Sequence, residues 1–190
     1  MIRFYNPSDP FGELSNYYVL KNKITFNQKV YASSEHLYQS LKFQYKGASV
    51  ETIAYAETIR LAKTPNIAKI LARQAVGGGY AWRVALNPII SKSLQDKVQP
   101  NPDWDVVKDE KMKFVIKLKF TQDLHCKNIL LSTKEASLAE HTTRDKYWAD
   151  GGDKCDGKNM LGKLLMQQRD DLLHENGAAK KRKLDEIVTW

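Results

Sequence analysis

Two pairs in which a capping residue precedes a proline, Thr64-Pro65 and Asn101-Pro102, constrain the fold of this chain most strongly. Thr and Asn side chains accept hydrogen bonds from the free amides of a first helical turn, and proline is tolerated just inside a helix because it has no amide to satisfy. The first pair predicts a helix to about Val76, and the second a long helix to about Phe120. We expect the buried stripe of the long helix to contain Val107, Phe114, Val115 and Leu118.

Three further helices are predicted from caps and from apolar periodicity. Ser33 or Ser34 can cap a helix that runs to about Lys46. Residues 48–62 are predicted to form a second helix, and residues 159–173 a final amphipathic helix. Helices therefore dominate the chain.

The β structure is predicted to be small and close to the N-terminus. Ile2–Tyr5 is typical of a strand. A hairpin is expected in which Val19-Leu20 and Ile24–Phe26 flank the turn Lys21–Lys23. The glycines Gly77–Gly79 predict a flexible break. With the helices, this pattern indicates a helix-rich α+β fold.

The length of 190 residues suits one domain with a sizeable core. We assign residues 1–176 to that domain and residues 177–190 to a flexible basic tail. No apolar stretch approaches the roughly 20 residues that span a bilayer, so no membrane partner is expected. The chain starts with no signal-peptide pattern and has only two cysteines, which predicts an intracellular protein without a disulfide scaffold.

The chain carries 30 Lys and Arg against 22 Asp and Glu, a net charge of +8. Such a charge favours an anionic partner, either nucleic acid or a phosphorylated small molecule. The basic run Lys180–Lys183 also has the composition of a nuclear-import signal. Cytoplasmic and nuclear locations are therefore both expected.

The predicted helix that starts near Ser33 carries reactive side chains on one face. At about 100° per residue, Glu35, Gln39 and Lys42 fall within about 60° of one another. Tyr38 borders this stripe. A solvated helix face would explain the pattern, and so would a pocket wall in which Glu35 moves protons and Lys42 acts as nucleophile or anion clamp. The residues alone leave both interpretations open.

A second group of candidates lies in a polar, glycine-containing loop predicted for residues 144–158. Trp148 stands near the carboxylate of Asp150, so the indole could stack on a base while the acid reaches a sugar. Asn159 at the following helix start could let backbone amides approach a phosphate. A plain turn capped by Asn159 is the alternative, and a weak Mg²⁺ site in this loop stays open.

Taken together, these segments resemble the NADAR family, also called YbiA-like. The likeness runs from about Phe4 to about Arg169. One departure is Ala149, where the family pattern has glycine after the tryptophan. The segments that carry the resemblance are residues 4–5, 9–16, 34–39, 42–43, 138–140, 145–151, 159–162, 165–166 and 169.

The resemblance implies a YbiA-like architecture and N-glycoside hydrolysis without metal or cofactor. It associates two substrate classes with the family: ADP-ribose attached to guanine in nucleic acid, and ribosylamino-pyrimidine phosphates of early riboflavin synthesis. Both have a ribose C1 bonded to an exocyclic amine. A lysine can exchange with that amine to form a Schiff base, and a carboxylic acid can shuttle the protons.

Within this resemblance, Lys42 is predicted to be the covalent amine and Glu35 the proton shuttle. Asp150 would orient or assist, and Trp148 would stack on the base or wall the pocket. Direct hydrolysis, with Glu35 activating water and Lys42 stabilising charge, stays open. The remaining predicted substrate contacts are Asn16, Tyr38, Gln39, Gly151 and Asn159.

Three functions follow as hypotheses. The charge and the basic tail favour removal of ADP-ribose from guanine in nucleic acid, either DNA or RNA. The alternative is hydrolysis of the riboflavin intermediate, which needs only a phosphate pocket. A third is a non-catalytic reader of ADP-ribose or modified nucleic acid. A reader needs no reactive amine, so the joint presence of four residues argues against it: Glu35, Lys42, Trp148 and Asp150.

Overall fold

The computed structural model describes residues 1–74 and 97–188, with side chains for residues 1–73 and 97–175. The predicted break at Gly77–Gly79 and the predicted helix end at Val76 lie outside the described residues.

Helices and short strands make up the described part of the chain, which confirms the predicted α+β class. The helices are α1 Ser34–Leu41, α2 Val50–Arg60, α3 Pro65–Gln74, α4 Trp104–Gln122, α5 Leu124–Ser132 and α6 Met160–Val188. The strands are β1 Ile2–Phe4, β2 Ile24–Phe26, β3 Lys29–Tyr31 and β4 Leu138–Glu140.

The backbone forms two compact units. The first, here the terminal unit, comprises Met1–Ser15 and Leu124–Trp190. The second, here the helical unit, comprises Asn16–Asp123.

Helix α1 is the centre of the helical unit, where it packs on α2, α3 and α4. Every residue of Ser34–Leu41 is buried, which excludes the alternative of a solvated face on this helix. Leu37 and Leu41 are part of the core. A neighbouring apolar cluster joins the end of α1 to α2 and α3, and its members are Phe43, Tyr55, Ala56, Ile59, Ala68, Leu71, Ala72 and Val98.

The hairpin of the helical unit differs from the predicted one. β2 pairs with β3 in antiparallel register, and the turn between them is Asn27-Gln28. Both turn residues are left-handed, with φ of 48° and 60°. A two-residue turn of this hand matches the twist of the flanking strands, and asparagine tolerates it better than most residues. The residues that form the hairpin turn therefore follow β2, and the prediction of a turn at Lys21–Lys23 is wrong.

Helix α1 ends at Leu41, five residues before the predicted end at Lys46. The amides of Lys42 and Phe43 donate to carbonyls three residues back, so the last turn tightens. Lys42 keeps a helical backbone, with φ −60° and ψ −25°. Its side chain therefore stays on the predicted face of α1.

Helix α4 begins at Trp104, later than the Asn101-Pro102 pair suggests. The Asn101 side chain accepts a 3.0 Å hydrogen bond from the amide of Asp103, which makes a separate turn before the helix. The predicted buried stripe is right only at Val115, because Val107, Phe114 and Leu118 are half-buried. α4 packs on α1 and also on β2, so its buried face is wider. The buried side chains are Met112, Val115, Ile116, Lys119 and Phe120.

In the terminal unit, β1 pairs in parallel with β4, with Ile2 opposite Leu138. The predicted strand at Ile2 is thus confirmed, and its partner comes from far along the chain. α6 packs against β4. Gly162 permits this packing, because a Cβ there would overlap the carbonyl oxygen of Leu138. α5, which the sequence patterns did not predict, belongs to the same unit.

Helix α6 continues to Val188, so the predicted helix end at residue 173 is wrong. The reason lies in helix propensity: Gly177 costs about 1 kcal/mol, but the Ala, Lys, Arg and Leu residues after it favour the helix. Among the described helices, none is long and apolar enough to cross a membrane.

Candidate active site

The start of α1 is fixed by a buried serine and histidine. Ser33 caps the helix by accepting the amide of His36. The His36 ring bonds on both sides, with Nδ1 2.8 Å from Ser33 Oγ and Nε2 3.0 Å from the carbonyl oxygen of Ala62. Burial lowers the pKa of His36, although the Ala62 carbonyl and Glu35 partly oppose this effect. The neutral ring therefore donates from Nε2 and accepts from the Ser33 hydroxyl, and it anchors the helix.

Glu35 is held from two directions. Its side chain is 5% exposed, and Oε1 accepts a 2.7 Å hydrogen bond from Nε2 of Gln39. Its backbone amide donates to the carbonyl oxygen of Asn16. Asn16 is itself fixed, because Nδ2 lies 3.3 Å from Sδ of Met112. A short path of contacts thus positions this carboxylate.

Gln39 carries an unused acceptor beside Glu35. Its side chain is 5% exposed, and within the described residues Oε1 has no hydrogen-bond partner. Leaving such an atom unpaired costs about 1–3 kcal/mol. A ligand hydroxyl or amine would satisfy it, so Gln39 is suited to hold a substrate next to the carboxylate.

Lys42 lies at the end of the same face, against aromatic rings. Its Nζ is 5.5 Å from the centroid of Trp104 and 5.8 Å from the centroid of Tyr38. Burial lowers the pKa of Lys42 to about 8; Glu35 and Asp105 oppose this, whereas Arg73 and Lys69 add to it. At pH 7, roughly one such lysine in ten is neutral, against roughly one in 3,000 for an ordinary lysine. The amine is therefore available as a nucleophile.

The helical unit thus brings together five predicted residues, namely Asn16, Glu35, Tyr38, Gln39 and Lys42. The sequence patterns missed Trp104, whose ring packs 5.1 Å from that of Tyr38. An aromatic residue three positions after the predicted cap Asn101 was the available signal.

Asp150 lies in the terminal unit and is paired with a histidine. Its Oδ2 is 2.9 Å from Nδ1 of His141, and its Oδ1 accepts the amide of Gly152 at 2.8 Å. Burial alone would raise the pKa of Asp150, but the hydrogen bonds from His141 and Gly152 and the charges of His141 and Arg3 outweigh it and lower the pKa. Asp150 is therefore an ionised hydrogen-bond acceptor. His141, which the sequence patterns did not assign, is the partner of this carboxylate.

The loop around Trp148 is held by hydrogen bonds to Asp145. Oδ1 of Asp145 accepts the amides of Tyr147 at 2.9 Å and of Trp148 at 2.8 Å. The half-buried Trp148 ring packs edge-on against Tyr147, with centroids 5.1 Å apart. Ala149 is fully buried, so its extra methyl group is accommodated.

Asn159 serves the structure of the terminal unit. Its side-chain amide donates to the carbonyl oxygen of Leu138 at 2.8 Å and accepts the amide of Glu140 at 3.2 Å. The backbone amides at residues 159–161 donate to carbonyl oxygens at residues 147–149. These three amides already have partners, so the prediction that amides at this helix start approach a phosphate is wrong for them.

Gly151 has a left-handed backbone conformation, which glycine adopts more readily than other residues. Its φ is +84°, and a Cβ there would overlap the carboxylate of Asp156. Within the described residues, the loop included, no three His, Cys, Asp or Glu side chains are grouped to hold a metal ion.

Comparisons with known proteins find relatives that match most of this chain. N-glycosidase YbiA of Escherichia coli (strain K12) is 33% identical over 175 residues, which cover 92% of this chain and 90% of that protein. A riboflavin biosynthesis protein of Vibrio vulnificus (strain YJ016) is 32% identical over 90% of this chain, which matches 38% of that longer protein.

A comparison with solved structures also finds YbiA. The NMR structure of Escherichia coli YbiA matches with a TM-score of 0.68 and 31% identity, over 92% of this chain and 86% of that one. This confirms the predicted YbiA-like architecture. The model of the NADAR domain matches residues 3–173, and the chain belongs to the NADAR family.

Proposed function

We propose that this protein is an N-glycosidase that cleaves the bond between a ribose C1 and an exocyclic amine, and that it removes ADP-ribose from guanine in nucleic acid. The observation that carries the proposal is the pair of Lys42, an amine whose pKa is lowered to about 8, and Glu35, a buried carboxyl on the same helix face. A reactive amine beside a proton donor and acceptor is what exchange at an exocyclic glycosylamine requires.

The reaction begins when the ribose ring opens. The lone pair of the exocyclic nitrogen forms a C1=N bond, and the ring oxygen leaves C1 and takes a proton from Glu35. Neutral Lys42 then adds its Nζ to C1, and the resulting ammonium nitrogen returns a proton to Glu35. Glu35 delivers a proton to the departing nitrogen, and the base leaves as a free amine. The sugar is now bound to Lys42 as a Schiff base.

Water completes the cycle. Glu35 takes a proton from the water that attacks C1, and Lys42 leaves as an amine when the C1–Nζ bond breaks. The sugar is released as an aldehyde that closes to the ring form. Gln39 Oε1, unpaired in the described residues, is suited to accept a hydrogen bond from the sugar or the exocyclic amine throughout.

Two residues of the terminal unit enter as predictions from the family likeness. Asp150 assists as an ionised acceptor, and Trp148 stacks on the base. The net charge of +8 supports a polyanionic substrate, because it raises the encounter rate with nucleic acid.

A second candidate substrate is a ribosylamino-pyrimidine phosphate. The likeness to a protein named for riboflavin biosynthesis, over 90% of this chain, favours it. It offers the same exocyclic bond, so the same residues would act. The salt dependence of binding distinguishes the two substrates. Affinity for a nucleic-acid polymer falls steeply as the salt concentration rises, whereas affinity for a monophosphate falls much less.

The test is incubation with a DNA oligonucleotide that carries ADP-ribose on one guanine, followed by mass spectrometry. Free ADP-ribose and restored guanine are expected, and both should be lost in Lys42→Ala and Glu35→Gln. Lys113→Ala, an exposed lysine on α4, is the matched control. Borohydride should trap a sugar adduct on Lys42.

Each other outcome selects a different function. Cleavage of the ribosylamino-pyrimidine phosphate with an unchanged oligonucleotide would select the second substrate. Cleavage without a trapped adduct would select direct hydrolysis. Binding of ADP-ribose without any turnover would make the protein a reader.

A further inference from the structure

Trp104, the first residue of α4, is tied to Lys42 through the backbone. The carbonyl oxygen of Lys42 accepts a 2.7 Å hydrogen bond from the amide of Asn101, and the carbonyl oxygen of Asn101 accepts the amide of Trp104 at 3.0 Å. The indole is therefore held beside Lys42 by bonds that do not involve the amine of the lysine. The reaction described above gives this ring no contact with the substrate.

The two rings beside the amine differ in exposure. The centroids of Trp104 and Tyr38 are 5.1 Å apart, with the ring planes tilted by 58°. Tyr38 is 4% exposed, whereas Trp104 is half-buried. Among the described residues, Trp104 is therefore the ring of this pair that a ligand can reach, and Tyr38 packs against it.

The distance between Trp104 and the amine suits a bound heterocycle. In the proposed reaction, Nζ of Lys42 approaches C1 to about 3–3.5 Å, and the leaving heterocycle is bonded to C1 through its exocyclic nitrogen. The Trp104 centroid lies 5.5 Å from Nζ. Aromatic rings attract each other when their centroids are about 4.5–7 Å apart. A heterocycle at C1 is therefore within reach of the indole.

Gln39 adds a polar contact on the face of α1 that carries Lys42. Its Nε2 donates to Glu35 at 2.7 Å, which leaves Oε1 as an acceptor that has no partner within the described residues. The side chain is 5% exposed, so bulk water has little access to this oxygen. An exocyclic amine keeps one N–H when it is bonded to C1, and that N–H can donate to Oε1.

We propose that Trp104 and Gln39 form the subsite for the leaving heterocycle: the indole stacks on its ring, and Gln39 Oε1 accepts a hydrogen bond from its exocyclic amine. The inference rests on the proposed function, in which both candidate substrates release such an amine. Stacking tolerates different bases, because every base has a π face. The subsite therefore accepts purines and pyrimidines and prefers those with an exocyclic amine. It needs no contribution from Trp148.

The test measures binding of the free heterocycle, without sugar and without turnover. The ligands are 9-ethylguanine, 4-aminopyrimidine and 9-ethylhypoxanthine, which lacks the exocyclic amine, and binding is followed by NMR titration. The titrations are done at pH 6, where Lys42, whose pKa is about 8, is protonated in wild type. Loss of a shielding ring can only raise that pKa, so the ionisation of Lys42 does not affect the comparison.

Trp104→Leu should bind 9-ethylguanine and 4-aminopyrimidine about tenfold more weakly, an effect within the range typical of base stacking on an aromatic side chain. Trp104→Phe keeps an aromatic ring and should retain most of the affinity. Phe114→Leu is the matched control, because it removes a half-buried ring ten residues further along α4. It should bind both ligands as wild type does.

The contribution of Gln39 is read from a ratio of affinities. Wild type should bind 9-ethylguanine about three- to tenfold more tightly than 9-ethylhypoxanthine, as expected for one hydrogen bond. Gln39→Leu should bind the two purines equally. A general loss of structure would weaken both ligands and keep their ratio, so the ratio reports on the hydrogen bond itself.

Three results would overturn the subsite: Trp104→Leu binds both amines like Phe114→Leu, Gln39→Leu keeps the wild-type ratio, or wild type binds neither amine. Affinities that fall in these variants, without turnover of any substrate by wild type, would support the subsite and remove the proposed function. Turnover by wild type with unchanged affinities in the variants would do the reverse.

Discussion

The Nζ of Lys42 lies 5.5 Å from the centroid of the Trp104 ring, and the two residues are 62 positions apart in the chain. The ring shields the amine from water on one side. Since burial is the main cause of the lowered pKa of Lys42, Trp104 contributes to the reactivity of the amine.

Trp104→Ala should therefore raise the pKa of Lys42 toward 10.5. Below the midpoint, each unit of that rise reduces the neutral fraction tenfold. We expect the ascending limb of kcat/KM against pH, with a midpoint near 8 in wild type, to move upward by about one unit. Trp104→Phe keeps an apolar ring and should move it less. An unmoved limb in Trp104→Ala would show that this ring does not shield the amine.

Lys42→Met should stabilise the protein while abolishing activity. In wild type the folded pKa is lowered, so the charged lysine destabilises the fold below pH 8, and this cost disappears between pH 8 and 10.5. At pH 7 we expect the free energy of unfolding to rise by about 1–3 kcal/mol. Urea unfolding at pH 7 and pH 10 measures it.

The gain should shrink at the higher pH. Lys113→Met, which changes an exposed lysine, should show no such dependence. A loss of stability in Lys42→Met at pH 7 would mean that contacts of the lysine stem outweigh the cost of burying its charge.

His141→Ala should destabilise the terminal unit by leaving the buried carboxylate of Asp150 with one partner fewer. We expect a loss of about 1–3 kcal/mol at pH 7. The pKa of Asp150 is lowered in the fold, so its contribution is present above its ordinary pKa and is lost as the pH falls through the lowered value. The difference between the proteins should therefore shrink toward pH 3, as thermal unfolding would show.

His125→Ala is the matched control for that variant. His125 is 46% exposed and pairs with Glu13 at 3.1 Å, so its removal should cost less than about 1 kcal/mol. Equal losses in the two variants would contradict a special role for the buried pair.

Gly162→Ala should destabilise the packing of α6 on β4, because the added methyl group meets the carbonyl oxygen of Leu138. A clash with backbone forces a shift of the helix, and we expect a loss of about 1–3 kcal/mol. Gly47→Ala is a useful comparison, since its φ is +91° but no atom lies within 4 Å of the added Cβ. Its cost should be only the conformational one, about 1–2 kcal/mol. Denaturant unfolding measures both losses, and an unchanged free energy of unfolding in Gly162→Ala would contradict the clash.

Several features of this protein follow from local chemistry. Thr64 caps α3, with its Oγ1 3.2 Å from the amide of Ile67, as the cap-plus-proline pattern predicts. The face shared by Glu35, Gln39 and Lys42 follows from helical geometry. Such features depend on neighbours within one or two turns, so a pattern of residue types is enough to predict them.

Other features depend on contacts between distant segments. β1 finds its partner β4 more than 130 residues later, and α4 is buried on more than one side because both α1 and β2 pack on it. The last turn of α1 tightens early, and Phe43 after it joins the apolar cluster with α2 and α3. No local pattern contains this information.

The sequence by itself therefore determined the α+β class, the family likeness and the helix face that carries Glu35 and Lys42. Only the tertiary structure decided that this face is buried, that Trp104 and Tyr38 enclose the amine, and that Asp150 is bound by His141. The physical reason is that a pKa depends on desolvation and on nearby charges in three dimensions. Residue types fix which groups can react, and packing fixes whether they are in the right ionisation state to do so.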